Sequence, residues 1–305
     1  MRTYLDCVPC FVRQSLEAAR NVTADAALQE RMLRDVLGMA ATMDFDRPPP
    51  FMGQAIHRRL RQLSGCADPY QAAKRHFNRL ASDALPELED LVRGSADPLR
   101  AAIACVVAAN AIDMAVIGAL DDGAVRNALR EAPGETLHGN LDEFREVVAE
   151  ARDILYLADN AGEVVVDRLL IEQFGPHRVT LAVRGSPVLN DATLGDARDC
   201  GLTGMVEVID NGSDAPGTIL EDCSEAFRRR FDAADLVVAK GLGNFETLFG
   251  FQRKIAFLFK VKCPLVSRHV GLSVGSYVAL CYRGNGCPEE LGDPLPGGVG
   301  GADPA

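Results

Sequence analysis

Two hydrophobic periodicities divide the chain. Up to about residue 150 the apolar positions recur at helical spacing: Cys10, Phe11, Val12, Leu16 and Ala19 form one face, Leu28, Met32, Val36 and Met39 another. Pro48-Pro49-Pro50 separates these from a segment with Ile56, Leu60 and Leu63. Asp68-Pro69 opens an amphipathic helix through Phe77 and Leu80, and Asp97-Pro98 opens a nearly all-apolar one over 99–120. From Ile154 short apolar runs alternate with helical stretches, which predicts a mostly parallel, doubly wound sheet. Strands are expected near 154–158, 179–183, 206–210, 235–239, 264–267 and 277–281. After Cys281 the chain turns to Gly, Pro and acidic residues, too little apolar surface to order itself. The expectation is a three-layer α/β fold: a helical subdomain at 1–150, an α/β domain at 151–283 and a flexible tail at 284–305.

The strand ends carry the candidate chemistry. The run Ile154 to Ala158 reads as a buried strand leading into Asp159-Asn160-Ala161-Gly162-Glu163, with Gly162 at the entry of a helix and Glu163 where a carboxylate suits a helix N-terminus. Two later strand ends echo it, one leading into Arg184-Gly185-Ser186-Pro187-Val188-Leu189-Asn190-Asp191, the other into Lys240-Gly241-Leu242-Gly243-Asn244-Phe245-Glu246. If these strands are parallel, Asp159, Asn160, Asp191 and Lys240 converge on one rim. Two carboxylates and an amide are oxygen donors, suited to Mg²⁺ or Mn²⁺. The pair Asp159-Asn160 by itself fits equally well a turn that caps the following helix.

Lys240 with two glycines lets backbone amides approach an anion while the ammonium balances its charge. The stretch is neither a nucleoside-triphosphate phosphate loop nor a dinucleotide fingerprint, since Glu246 stands where the third glycine belongs. Arg184 and Ser186 offer a guanidinium fork and a hydroxyl that match phosphate oxygens. The polar loop 211–218 could bind a ligand or be turn chemistry alone; Asp214 and Thr218 are its candidates. In the apolar helix Asn110 and Asp113 lie three apart on one face, which taken alone is a surface stripe or a satisfied buried pair.

Composition narrows the classes. A net charge of -11 without clustered Lys and Arg disfavours nucleic acid as a partner. An acidic chain that takes an anionic substrate needs a local positive focus, which a bound cation plus Lys240 would supply. No stretch has the length of a membrane span and the first residues lack a signal-peptide core, so the expected location is the cytoplasm and no membrane partner is expected. Nine cysteines, an odd number without a framework, fit reduced thiols; Cys7-Val8-Pro9-Cys10 has metal or redox spacing but no second pair, so a structural role is expected, with Cys263 as a third member in any redox or metal role. The five histidines form no ligand set.

DNAGE at 159–163, RGSPVLND at 184–191, KGLGNFE at 240–246 and DCVPCFVRQSLEAAR at 6–20 together resemble the DUF89 family of metal-dependent damage-control phosphatases, in its compact cysteine-bearing prokaryotic branch, over nearly the whole chain to about Cys281. The resemblance implies a divalent ion, Mn²⁺ or Mg²⁺ with Co²⁺ or Ni²⁺ as further candidates, held by Asp159, Asn160 and Asp191. It implies hydrolysis of a small phosphomonoester, a sugar phosphate or damaged phosphometabolite, by direct attack of an activated water, with Asp159 and Lys240 catalytic. Asn110, Arg184, Ser186, Lys240, Gly241 and Asn244 would contact substrate, and Asp113, Glu163 and Glu246 would support them. One departure is Ala109, where the family commonly has Gly. Two alternatives remain at this stage: an S-adenosylmethionine-dependent carboxyl methyltransferase and a non-catalytic binder of a phosphometabolite.

Overall fold

The computed structural model describes residues 1–110 and 121–284. Its centre is a seven-stranded sheet in the order β1-β7-β6-β5-β2-β3-β4. The strands are β1 (Leu137–Gly139), β2 (Ile154–Leu157), β3 (Val179–Val183), β4 (Glu207–Asp210), β5 (Leu236–Lys240), β6 (Lys254–Lys260) and β7 (Tyr277–Arg283). β2 pairs in parallel with β3 and β5, β3 with β4, β5 with β6 and β1 with β7; β7 is antiparallel to β6. The chain winds outward from β2 to β4, then crosses to β5 and winds the other way. Its direction therefore reverses between β2 and β5, and an open α/β sheet takes its ligand outside the carboxyl ends of strands at such a point.

Strands buried on both faces need apolar residues at every position, and β2 shows it. Ile154 and Tyr156 enter one core, Leu155 and Leu157 the opposite one. The first core also takes residues of α4 (Gln71–Gly94), α5 (Pro98–Ala109), α6 (Asp122–Glu131), α7 (Leu141–Glu150), α8 (Glu163–Phe174) and α9 (Leu194–Asp199). The second takes α10 (Glu225–Ala233), α11 (Gly241–Leu248) and α12 (Pro264–Val270), with Phe227, Phe231, Phe245 and Phe257 at its centre. α1 (Cys7–Val22), α2 (Ala26–Thr42) and α3 (Pro49–Ser64) enclose a third core around Phe11, Met32, Val36, Ile56 and Leu60, against which Leu189 packs from the loop after β3. The helices of the first 150 residues thus divide between two cores: α4 to α7 share the first core, with α5 and α7 packed on β7.

One expectation about strands is corrected, and one strand was not foreseen. The stretch 264–267 is helical, because Pro264 sits at the first helical turn and the Cys263 sulfur accepts the Val266 N–H as a cap. The strand in that part of the sheet is β6, Lys-Ile-Ala-Phe-Leu-Phe-Lys, fully apolar between two lysines. Among the described residues no helix is long and apolar enough to cross a membrane.

Candidate active site

β2 carries Asp159 and Asn160 to the rim, and the loop after β3 folds back to meet them. The Ala192 N–H donates to the Asp159 carbonyl and the Ala161 N–H to that of Asn190, both at 2.8 Å, so Asn160 and Asp191 bridge as an antiparallel pair. From the other side of the reversal comes the turn after β5. Gly241 has φ of +79°, and a Cβ on it would lie 1.8 Å from Asp159 Oδ2; only glycine lets this backbone adopt that angle and abut the carboxylate. Of the four residues expected to converge, Asp159, Asn160 and Asp191 are brought together, with Gly241 rather than the Lys240 side chain against Asp159.

The amides are ordered by the acids. Asn160 Nδ2 donates to Asp159 Oδ2 at 3.0 Å and to Glu163 Oε1 at 2.7 Å, which leaves Oδ1 as the atom for a ligand. Asn110, directly after α5, donates to the same two oxygens at 2.9 Å each, and its Oδ1 accepts the Lys260 N–H at 3.4 Å. Asn110 thus belongs to the site; Asp113 lies outside the described residues. Arg184 Nε donates to Asp191 Oδ2 at 2.6 Å and Nη1 to Asn244 Oδ1 at 3.3 Å, while the buried Nη2 has no hydrogen-bond partner and stands 3.6 Å from Asp159 Oδ1. Asn244 in turn donates to the Lys240 carbonyl at 2.7 Å and accepts the Thr218 hydroxyl at 2.8 Å.

Charge is crowded here. Burial, then the Glu163 and Asp191 carboxylates, push the Asp159 carboxyl far above its usual range; Arg184 and Lys262 oppose this. Lys262, half-buried just past β6, went unassigned in the sequence. Its signal was legible only once 254–260 is read as a strand, which puts Lys262 at the same sheet edge.

Several expected contacts lie elsewhere. Lys240 is not on the rim: its side chain is 0 % exposed and its ammonium sits between Glu163 Oε2 at 3.0 Å and Asp167 Oδ1 at 3.1 Å. The last residue of a strand points alternately up or down, and here it points beneath the floor, where Tyr156 donates to the same Asp167 oxygen at 2.7 Å. Burial alone would lower the Lys240 pKa, but Asp167 and Glu163 outweigh it and raise it. Ser186 is exposed on its loop. Glu246 keeps company with the Met1 amine, whose N–H₃⁺ donates to its carbonyl at 2.7 Å, and burial pushes its carboxyl up to about 7. Asp214 is held by Arg58, Arg61 and Gln54 of α3. Burial pushes the Cys7 thiol up to about 11, so it stays protonated.

Among the described residues no three His, Cys, Asp or Glu side chains form a ready ligand group. What the rim offers is two carboxylates and a carboxamide oxygen, with an unmet guanidinium donor beside them. That set fits a hard divalent cation with open positions better than a closed structural site.

A model of the damage-control phosphatase ARMT1-like domain matches residues 3–278. An uncharacterized protein of Methanocaldococcus jannaschii is 35% identical over 90% of this chain and 94% of its own. A damage-control phosphatase of Archaeoglobus fulgidus is 33% identical over 90% of this chain and 96% of its own. The crystal structure of a DUF89 family protein from Pyrococcus horikoshii superposes with a TM-score of 0.82 at 28% identity, covering 93% of this chain and 100% of that one. With the family model spanning nearly all of the sheet and helices described above, the chain belongs to the damage-control phosphatase ARMT1-like (DUF89) family.

Proposed function

We propose that the chain hydrolyses a small phosphomonoester at this rim, with a divalent cation held by Asp159, Asn160 and Asp191. The observation that carries the reading is the buried gathering of Asp159, Asp191 and Glu163 with the side-chain amides of Asn160 and Asn110 turned onto two of them. Like charges held together out of water are costly, and a cation converts that cost into binding. Relatives named damage-control phosphatase support the reaction class.

Bound there, a divalent ion would polarise a phosphoryl oxygen and raise the acidity of a water. The chain's own residues do the rest. Arg184 offers Nη2 to a phosphoryl oxygen, and its Nε bond to Asp191 aims the fork. Lys262 supplies a positive charge near Asp159, the part expected of Lys240 from the sequence. Lys240 meets Glu163 Oε2 from below, while Glu163 Oε1 accepts both side-chain amides. Asn110 keeps Asp159 and Glu163 aligned across the site.

Phosphate release from a panel of sugar phosphates and phosphorylated cofactor fragments, with Mn²⁺, Mg²⁺, Co²⁺ or Ni²⁺ and with a chelator, tests the proposal. Release is expected only with metal, and Asp191→Ala should abolish it while the protein remains folded. No release from any compound with any metal, or undiminished release by Asp191→Ala, would sink it.

A further inference from the structure

A polar chain in α4 reaches the site from behind, and the mechanism above does not use it. Lys74 and Asn78 are four residues apart on one face of α4, 3% and 7% exposed. Asn78 Oδ1 accepts the N–H of Gly162 at 2.6 Å, and its Nδ2 donates to Asp196 Oδ1 at 3.1 Å. The other Asp196 oxygen accepts the Thr193 N–H at 3.0 Å, the Thr193 hydroxyl at 2.7 Å and the Lys74 ammonium at 3.0 Å. Lys74 reaches Asp68 as well, at 2.9 Å. Gly162 stands two residues past Asn160, and Thr193 two residues past Asp191. One carboxamide and one carboxylate therefore join the turns that carry the three proposed ligands.

We propose that Asn78, oriented by Asp196, is a positioning residue for the cation site, a reading that rests on the proposed function. The reason lies in Gly162. It has φ of +82°, enters α8 with no side-chain cap, and is pressed so close to α4 that a Cβ would come 2.9 Å from Phe77 Cβ. The direction of its N–H sets the turn, and with it the aim of Asn160 and Glu163 on either side. The Asn78 amide can serve Gly162 in one orientation only. Asp196 accepts on one side and Gly162 donates on the other, so only one placement of oxygen and nitrogen satisfies both. Asp196 stays ionised in this role: burial raises its pKa, but Lys74 and Thr193 outweigh burial and hold it below the usual range.

Calorimetry with Mn²⁺ on the purified full chain tests this, with thermal unfolding of the metal-free proteins alongside. Asn78→Ala should weaken Mn²⁺ binding by roughly 10–100-fold, the usual effect of losing a group that orients a ligand. Asp196→Asn should do the same, because it puts a donor against the Asn78 donor. The exchange Asn78→Asp with Asp196→Asn restores an acceptor for Gly162 and a matched pair, so it should recover Mn²⁺ affinity to within a few-fold of the starting protein. A residue that only stabilises the fold would lower the unfolding temperature and leave the affinity of the folded protein unchanged; that result, or an exchange no better than Asp196→Asn alone, overturns the proposal. Absence of Mn²⁺ binding in the unaltered protein overturns the cation site itself and this inference with it.

Discussion

At the scale of single residues, Lys240 shows how much a side chain's direction matters. In sequence it is a lysine at a strand end beside two glycines, the pattern of an anion-binding rim; in the fold it is the cation of a buried Lys240, Glu163, Asp167 and Tyr156 group. Deleting its charge leaves Glu163 and Asp167 buried and unpaired. Lys240→Met is therefore expected to cost stability, about 3–5 kcal/mol as for one half of a buried ion pair. Urea unfolding checks it: a loss under about 1 kcal/mol, the range of an exposed pair, would return Lys240 to the surface. The residues that reach the rim were easier to read. Asp159, Asn160 and Asp191 follow apolar runs whose parallel pairing the structure confirms, and Asn110 is the polar residue that closes the apolar run of α5. Lys262 and Asn78 were not legible, since one depends on strand β6 and the other on which face of α4 meets Gly162.

Elements were legible in proportion to how local their causes are. β2, β3 and β5 announce themselves as apolar runs ending in turn formers, and each lies within a residue or two of its expected place. β1, three residues long, has no periodicity of its own and exists because β7 offers an edge. At 264–267 a short apolar run suited strand and helix alike, and Pro264 decided for helix. The docking of α3 is likewise tertiary. His57 of that helix is 5% exposed, and burial, reinforced by Arg61 and opposed by Asp214, lowers its pKa to about 4. Its folded pKa lies below the unfolded value near 6.5, so the unfolded chain binds the proton first as pH falls. Stability should thus decline from about pH 6.5 to about pH 4, by about 3 kcal/mol for this group, and level off below. In His57→Gln that part of the slope should vanish when unfolding free energy is followed across the window. An unchanged slope would show that His57 accepts its proton in the folded protein without cost.

At the scale of the whole molecule, the acidic balance and the site make opposite demands. A chain of net charge -11 attracts divalent cations everywhere on its surface, so added metal would stabilise it somewhat by screening alone. The proposed cation site would concentrate the effect at the reversal between β2 and β5, where turns from three strands and Asn110 meet and where the carboxylates are buried. A buried site is screened little by ordinary salt, and a ligand that binds the folded state alone stabilises in proportion to the logarithm of its concentration. Mn²⁺ at one hundred times its dissociation constant should therefore add about 2.7 kcal/mol, which for a chain of this size raises the unfolding temperature by a few degrees. NaCl at equal ionic strength should not reproduce the rise. In Asp191→Ala the Mn²⁺ effect should fall to what NaCl gives, because the surface charge is nearly unchanged while a proposed ligand is gone. A rise of equal size in Asp191→Ala would assign the stabilisation to the acidic surface and leave Asp159, Asn160 and Asp191 as a polar turn that caps α8.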